Sequence, residues 1–121
     1  WARPRPFRPR PGAEEFARAL ADLRPTPVQT AMLRFHAAQP RRAATMRDIA
    51  RGVLSCNRPR DANLAYGRLA HRLCDRTGFR PDLRDDGTEI WMSTVAEGWQ
   101  PENREFEWVM VPTLAQLFGA R

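Results

Sequence analysis

Side chains able to do covalent chemistry are few and badly spaced in this chain, whereas side chains able to grip a polyanion are many. His36 and His71 are the only histidines, too few to assemble an HNH-type nuclease centre. His71 and Cys74 share a helical face at i, i+3 and Cys56 could come near them, but no CxxC or HxxxH spacing accompanies them, so zinc ligation has little support. No GxxxxGK[ST] or GxGxxG loop is present to cradle a nucleotide phosphate. Ser55 has no base spaced to activate it, and the carboxylates from Asp82 to Asp86 read as a solvated turn rather than a magnesium site. The expectation is a non-catalytic module that needs no cofactor.

Arginine is what the chain has in quantity. All twenty basic residues are Arg and none is Lys, read here as the codon bias of a GC-rich genome rather than a functional choice. Residues 1–80 carry 17 Arg against 6 acids, a balance of +11, while residues 81–121 carry 3 against 8, a balance of −5. A one-sided basic patch is the electrostatic footprint of a polyanion partner, and the asymmetry puts that partner on the first two thirds of the chain. Arg41, Arg42, Arg47, Arg58, Arg60, Arg68 and Arg72 fall together there. Arg can pair bidentately with guanine or with phosphate, and an amide such as Asn63 with adenine.

These groups need a frame. Asn57 to Gly78 reads as one helix of about five turns, with Asn57 as its cap, Pro59 tolerated in its first turn and Gly78 as its left-handed stop. Ala62, Ala65, Tyr66, Leu69 and Leu73 cluster on one side; Asn63, Leu64, Gly67, Arg68, His71 and Asp75 lie on the other. Arg58 and Arg60 stand at the N-terminal turn, where a recognition helix meets base edges. Gly67 costs about 1 kcal/mol against alanine in a helix. Its place implies close approach of a backbone, either of DNA or, preferentially, of a neighbouring helix. Before it, Thr45 with Asp48 three residues on predicts a two-turn helix that turns Ile49, Ala50 and Val53 inward. Thr26-Pro27-Val28-Gln29 is a strong helix start, followed by a buried stripe of Val28, Met32 and Phe35, flanked by Leu33 and by His36 at the helix surface. Ala13–Leu23 predicts a short helix on Phe16, Leu20 and Leu23, and residues 1–12 an extended Arg/Pro-rich arm, either a linker or a strap along a phosphate backbone.

The β part opens with a turn at Asp85-Asp86-Gly87, followed by strands in EIWMSTVAEGW and EFEWVMV. Trp91 and Trp108 are expected in those strands as core or pocket walls. Trp99 falls in the hairpin loop GWQPENR, either touching a groove or folded back as a lid. Pro112-Thr113 opens a last short helix. The fold class is α+β: a winged helix-turn-helix with a three-helix core and a β-hairpin wing, preceded by an N-terminal helix and closed by a short C-terminal one. Its domain spans residues 13–121. At 121 residues there is one core, and no apolar run approaches the ~18–20 residues of a membrane span, so a cytoplasmic setting with Cys56 and Cys74 reduced is expected. The first residue is Trp1 rather than Met, as expected of a piece of a longer polypeptide.

The runs TPVQTAML, TMRDIAR, NLxYGRLAxRL and EFEWVMVPTLAQLF, spanning about residues 24–119, resemble a bacterial winged-helix module found fused to HNH-type nucleases in restriction-like proteins. The resemblance implies a nucleoid-associated reader of double-stranded DNA that delivers a covalently fused nuclease domain, and methylated adenine as the modification read. The expected contacts are Arg41, Arg42, Thr45, Arg47, Arg58, Arg60, Asn63, Tyr66, Gly67, Arg68, His71, Trp99, Asn103 and Arg104, with Tyr66 counted in both the buried and the contact set. The alternative is a protein-interaction module, a homodimerising winged helix of the kind used in transcriptional regulators.

Overall fold

Short-range capping rules set where most of the helices begin. The computed structural model describes residues 10–119, so the arm expected before Arg10 lies outside the described residues. Helix α1 (Ala13–Leu23) starts where the Glu15 carboxylate accepts the Gly12 N–H at 3.1 Å, and it buries Phe16 and Ala19. Helix α2 (Pro27–Ala38) has a reciprocal cap: Thr26 Oγ1 accepts from the Gln29 N–H and Gln29 Oε1 from the Thr26 N–H, both at 3.1 Å. Thr45 and Asp48 repeat this at α3 (Met46–Val53), at 3.0 and 3.1 Å. Helix α4 (Pro59–Thr77) ends at Gly78 with φ of 73°, a left-handed backbone that glycine adopts without a Cβ clash.

Two expectations about these helices are corrected. Asn57 does not cap α4; Arg58 occupies the cap position without a side-chain bond, and Asn57 Oδ1 instead accepts from Arg47 and Arg51. The buried stripe of α2 is Gln29, Met32, Leu33, His36 and Ala37, one position round from the expected one, leaving Val28 44% exposed. Phe35 is half-buried over α3, where a Cβ on Gly52 would fall 2.2 Å from its ring.

Strands β1 (Ala43–Ala44), β4 (Ala96–Trp99) and β5 (Glu107–Met110) form an antiparallel sheet in the order β1-β5-β4, with Ala44 and Gly98 both opposite Trp108. A separate hairpin pairs β2 (Asp82–Leu83) with β3 (Glu89–Ile90) across the expected turn, where Gly87 has φ of 89° and Asp86 Oδ1 accepts from the Thr88 N–H at 2.9 Å. The stretch EIWMSTVAEGW is therefore not one strand. Glu89–Ile90 belongs to the hairpin, Trp91–Thr94 is a 3-10 turn packed on α4, and only Ala96–Trp99 joins β5; Trp91 accordingly lies outside any strand. Helix α5 (Pro112–Ala115) and a following 3-10 turn cover the open end of the core.

The result is an α+β domain of five α-helices and a small antiparallel sheet among the described residues, its core built from Phe16, Met32, Leu33, Ile49, Tyr66, Leu69, Leu73, Met110 and Leu114. Arg10 donates to the Ser93 carbonyl at 2.7 Å and pairs with Glu97, and the Pro11 carbonyl accepts from Thr113 Oγ1. No helix among the described residues is long and apolar enough to cross a membrane, and both cysteines are free.

Candidate nucleic-acid interface

Helix α4 divides its residues by a 3.6-residue period into two faces with opposite chemistry. Tyr66, Leu69 and Leu73 are fully buried, while Arg60, Asn63 and Arg68 are exposed and have no hydrogen-bond or ion-pair partner among the described residues. At 1.5 Å per residue Arg60 and Arg68 stand about 12 Å apart along the axis, and base pairs stack every ~3.4 Å. One face of α4 thus covers the length of three to four base-pair steps.

Beside this face runs a groove of about 270 Å³, with Asn63, Leu64, Gly67 and Arg68 on the helix side and Trp91, Trp108 and Arg84 opposite. Gly67 lies in its floor. A Cβ built there meets no atom within 4 Å, so the packing of a neighbouring helix, the preferred explanation from sequence, is not the reason for the glycine. Gly67→Ala is expected to gain about 1 kcal/mol of stability from helix propensity alone. Gly52→Ala must instead push the Phe35 ring off α3 and lose about 1–3 kcal/mol, as overpacked sites do; urea denaturation of the two variants should move in opposite directions.

The groove walls are held from behind. His71 stacks on Trp91 with ring centroids 3.6 Å apart and planes 9° from parallel, and its Nε2 lies 3.5 Å from Asp75. Its ring face is therefore committed to a protein partner. Trp108 is fixed through its carbonyl, which accepts from His36 Nε2 at 2.8 Å; His36 Nδ1 in turn accepts from the Tyr66 hydroxyl at 2.7 Å. Two expectations fall here. His36 is fully buried rather than at the helix surface, and Tyr66, also fully buried, cannot touch a duplex. Burial pushes the His36 imidazolium pKa below its ordinary value and the Tyr66 phenol above its own, so a neutral imidazole accepts from an un-ionised hydroxyl. This pattern assigns the proton to Nε2 of His36.

The other expected contacts divide in two. Arg41 and Arg104 are exposed and their guanidinium groups have no partner among the described residues, while the Arg104 carbonyl accepts from the Gln100 amide at 2.6 Å; Asn103 is exposed in the β4–β5 loop with φ of 57°. Trp99 is 38% exposed on the outer face of β4, donating to Glu107 at 3.0 Å, and does not fold back as a lid. The remainder are spoken for. Arg42 donates to the Met110 carbonyl at 3.0 Å, Thr45 caps α3, and Arg58 pairs with Asp61 at 2.7 Å. Arg47 donates to Glu105 at 2.6 Å and to the Asn57 carbonyl at 3.0 Å. Sequence reasoning missed Arg51, Asn57 and Glu105 as a set linked through Arg47: Glu105 lies in a loop 58 residues from Arg47, and the Asn57 bonds depend on how the α3–α4 turn folds. No protein-family model matches the chain, and neither does any curated protein or solved structure. Residues and geometry alone carry the functional reading.

Proposed function

We propose that this domain is a winged helix-turn-helix reader of duplex DNA, with α3 as its positioning helix, α4 as its recognition helix and the β4–β5 loop as its wing. The element order α2-β1-α3-α4-β4-β5, with the β2–β3 hairpin and a 3-10 turn inserted after α4, and the strand order β1-β5-β4 are compatible with such a fold. The observation that carries the reading is the face of α4 on which Arg60, Asn63 and Arg68 are open and unpartnered while its opposite face is sealed in the core. A guanidinium and a carboxamide on one helix face supply bidentate donors and acceptors for guanine and adenine edges in the major groove. The tryptophan-walled groove beside Gly67 offers an apolar seat next to the Asn63 amide, which suits a methyl group on an adenine edge. On this reading the module itself is non-catalytic and would deliver a separate nuclease domain.

Fluorescence anisotropy with matched duplexes, with and without N6-methyladenine, between 50 and 200 mM salt tests this. With about five phosphates neutralised, log affinity should fall with log salt at a slope near −4.5. Methylated duplexes should bind more tightly at every salt concentration. A salt-independent signal, or no binding to any duplex, would reject the DNA-reading assignment; equal affinity for both duplexes would reject the modification reading alone.

A further inference from the structure

A cleft of about 880 Å³ separates α3 from the β4–β5 loop, and it carries charges of both signs. Arg47, Arg51 and Arg104 line it together with Asp48, Glu102, Glu105 and Glu107, so the cleft is not a ready anion seat. Each carboxylate but one has a protein partner. Asp48 accepts from the Thr45 N–H, Glu107 from the Trp99 indole, and Glu105 from Arg47 at 2.6 Å. Glu102 has none among the described residues. On its other side Arg47 is held by both oxygens of Asn57, at 3.0 and 3.2 Å, and Arg51 Nε donates to the same Asn57 Oδ1 at 2.7 Å. The arginine is thus pre-oriented from the α3–α4 turn, and only its outer bond goes to the loop.

We infer that Glu105 occupies the place of a backbone phosphate, and that Arg47 exchanges the carboxylate for a phosphate oxygen when a duplex docks. This inference rests on the DNA-reading assignment. A charge-assisted bond from Arg to either acceptor has similar geometry, so the exchange needs no new rotamer. What it changes is the loop: Glu105 is released, and with it the tie between the wing and the turn that precedes α4. The free protein therefore holds one phosphate-binding arginine in reserve. Binding sets the wing free to settle on the flanking backbone. The acidic groups facing Arg47 make nonspecific association costlier than the net charge of the chain suggests.

The test is a double-mutant cycle on duplex binding, with wild type, Glu105→Gln, Glu102→Gln, Arg47→Ala and the Arg47→Ala/Glu105→Gln pair. Glu105→Gln should tighten binding about tenfold, because the competitor for Arg47 is gone. Glu102→Gln removes the same charge from the same loop and should change affinity by less than about twofold, as a rim charge without a partner does. In the Arg47→Ala background the Glu105→Gln gain should shrink to the Glu102→Gln level. Equal gains from Glu105→Gln and Glu102→Gln, or a gain that survives Arg47→Ala, would overturn the exchange while leaving DNA binding intact. A protein that binds no duplex in any form would overturn the underlying assignment as well. Side-chain NMR of the unmutated protein is a second measurement: the Arg47 Nε–H signal should shift when duplex is added, and an unmoved signal in a bound complex would also overturn the exchange.

Discussion

Replacing Arg60 and Arg68 together by alanine is expected to weaken duplex binding by about two to four powers of ten, since each bidentate base contact contributes roughly 1–3 kcal/mol. The fold should not notice. Both side chains are exposed and neither has a partner among the described residues, so stability should stay within about 0.5 kcal/mol of the parent. The single variants separate roles. An arginine that reads a base edge relaxes discrimination at one position and leaves the salt slope alone; one that holds a phosphate weakens all sequences equally and flattens the slope by about 0.9. Asn63 stands one turn from Arg60 on the same face, so Asn63→Ala should relax discrimination where adenine is preferred. Anisotropy titrations against a small set of duplexes would measure all of this, and unchanged affinity in the double variant would remove α4 as the reading element.

The parts of this arrangement that could be read from sequence are those fixed within one or two helical turns. The Thr26–Gln29 and Thr45–Asp48 caps, the Gly78 stop and the two faces of α4 depend only on residues three or four apart, and the structure has them where those spacings require. Errors begin where a side chain is claimed by something distant. His36 looks like a surface residue because nothing on α2 needs it inside; its partners, Tyr66 and Trp108, lie 30 and 72 residues further on. Asn57 fails for a nearer reason: it has the chemistry of a cap, but the fold of the α3–α4 turn gives it to Arg51 and Arg47, six and ten residues back. The β part was least legible, because two-residue strands such as Asp82–Leu83 carry no periodicity and Trp91–Thr94 is bent into a turn by packing on α4. Gly67 carries a helix cost that no sequence neighbour explains. Only coordinates could show that the space above it is open.

Acidification should melt this domain earlier than its surface charge would suggest, through one buried imidazole. His36 is fully buried and neutral, donating from Nε2 to the Trp108 carbonyl and accepting at Nδ1 from Tyr66. Burial holds its folded pKa below 6.5, so the native state disfavours the proton that the unfolded chain accepts. Between those two values the unfolded state binds more protons, and stability rises with pH. The contribution is therefore complete above about pH 6.5 and is lost progressively as the pH falls from there toward the folded value. Asp86, whose pKa is lowered from 3.8 by Thr88, titrates below pH 5 and cannot produce a slope between pH 5 and 8. His36→Ala should abolish the dependence and lower stability at neutral pH by about 3–5 kcal/mol, from the cavity and from two buried polar groups left without partners. Chemical denaturation at pH 5 to 8, with His71→Gln separating the other imidazole, would measure both effects; a slope that persists in His36→Ala but vanishes in His71→Gln would assign the proton elsewhere. The same bonds fix Trp108 in one wall of the groove and Tyr66 immediately beside Gly67 on α4. His36→Ala takes away the Tyr66 acceptor and the Trp108 donor, so it should also lower discrimination between duplexes at neutral pH.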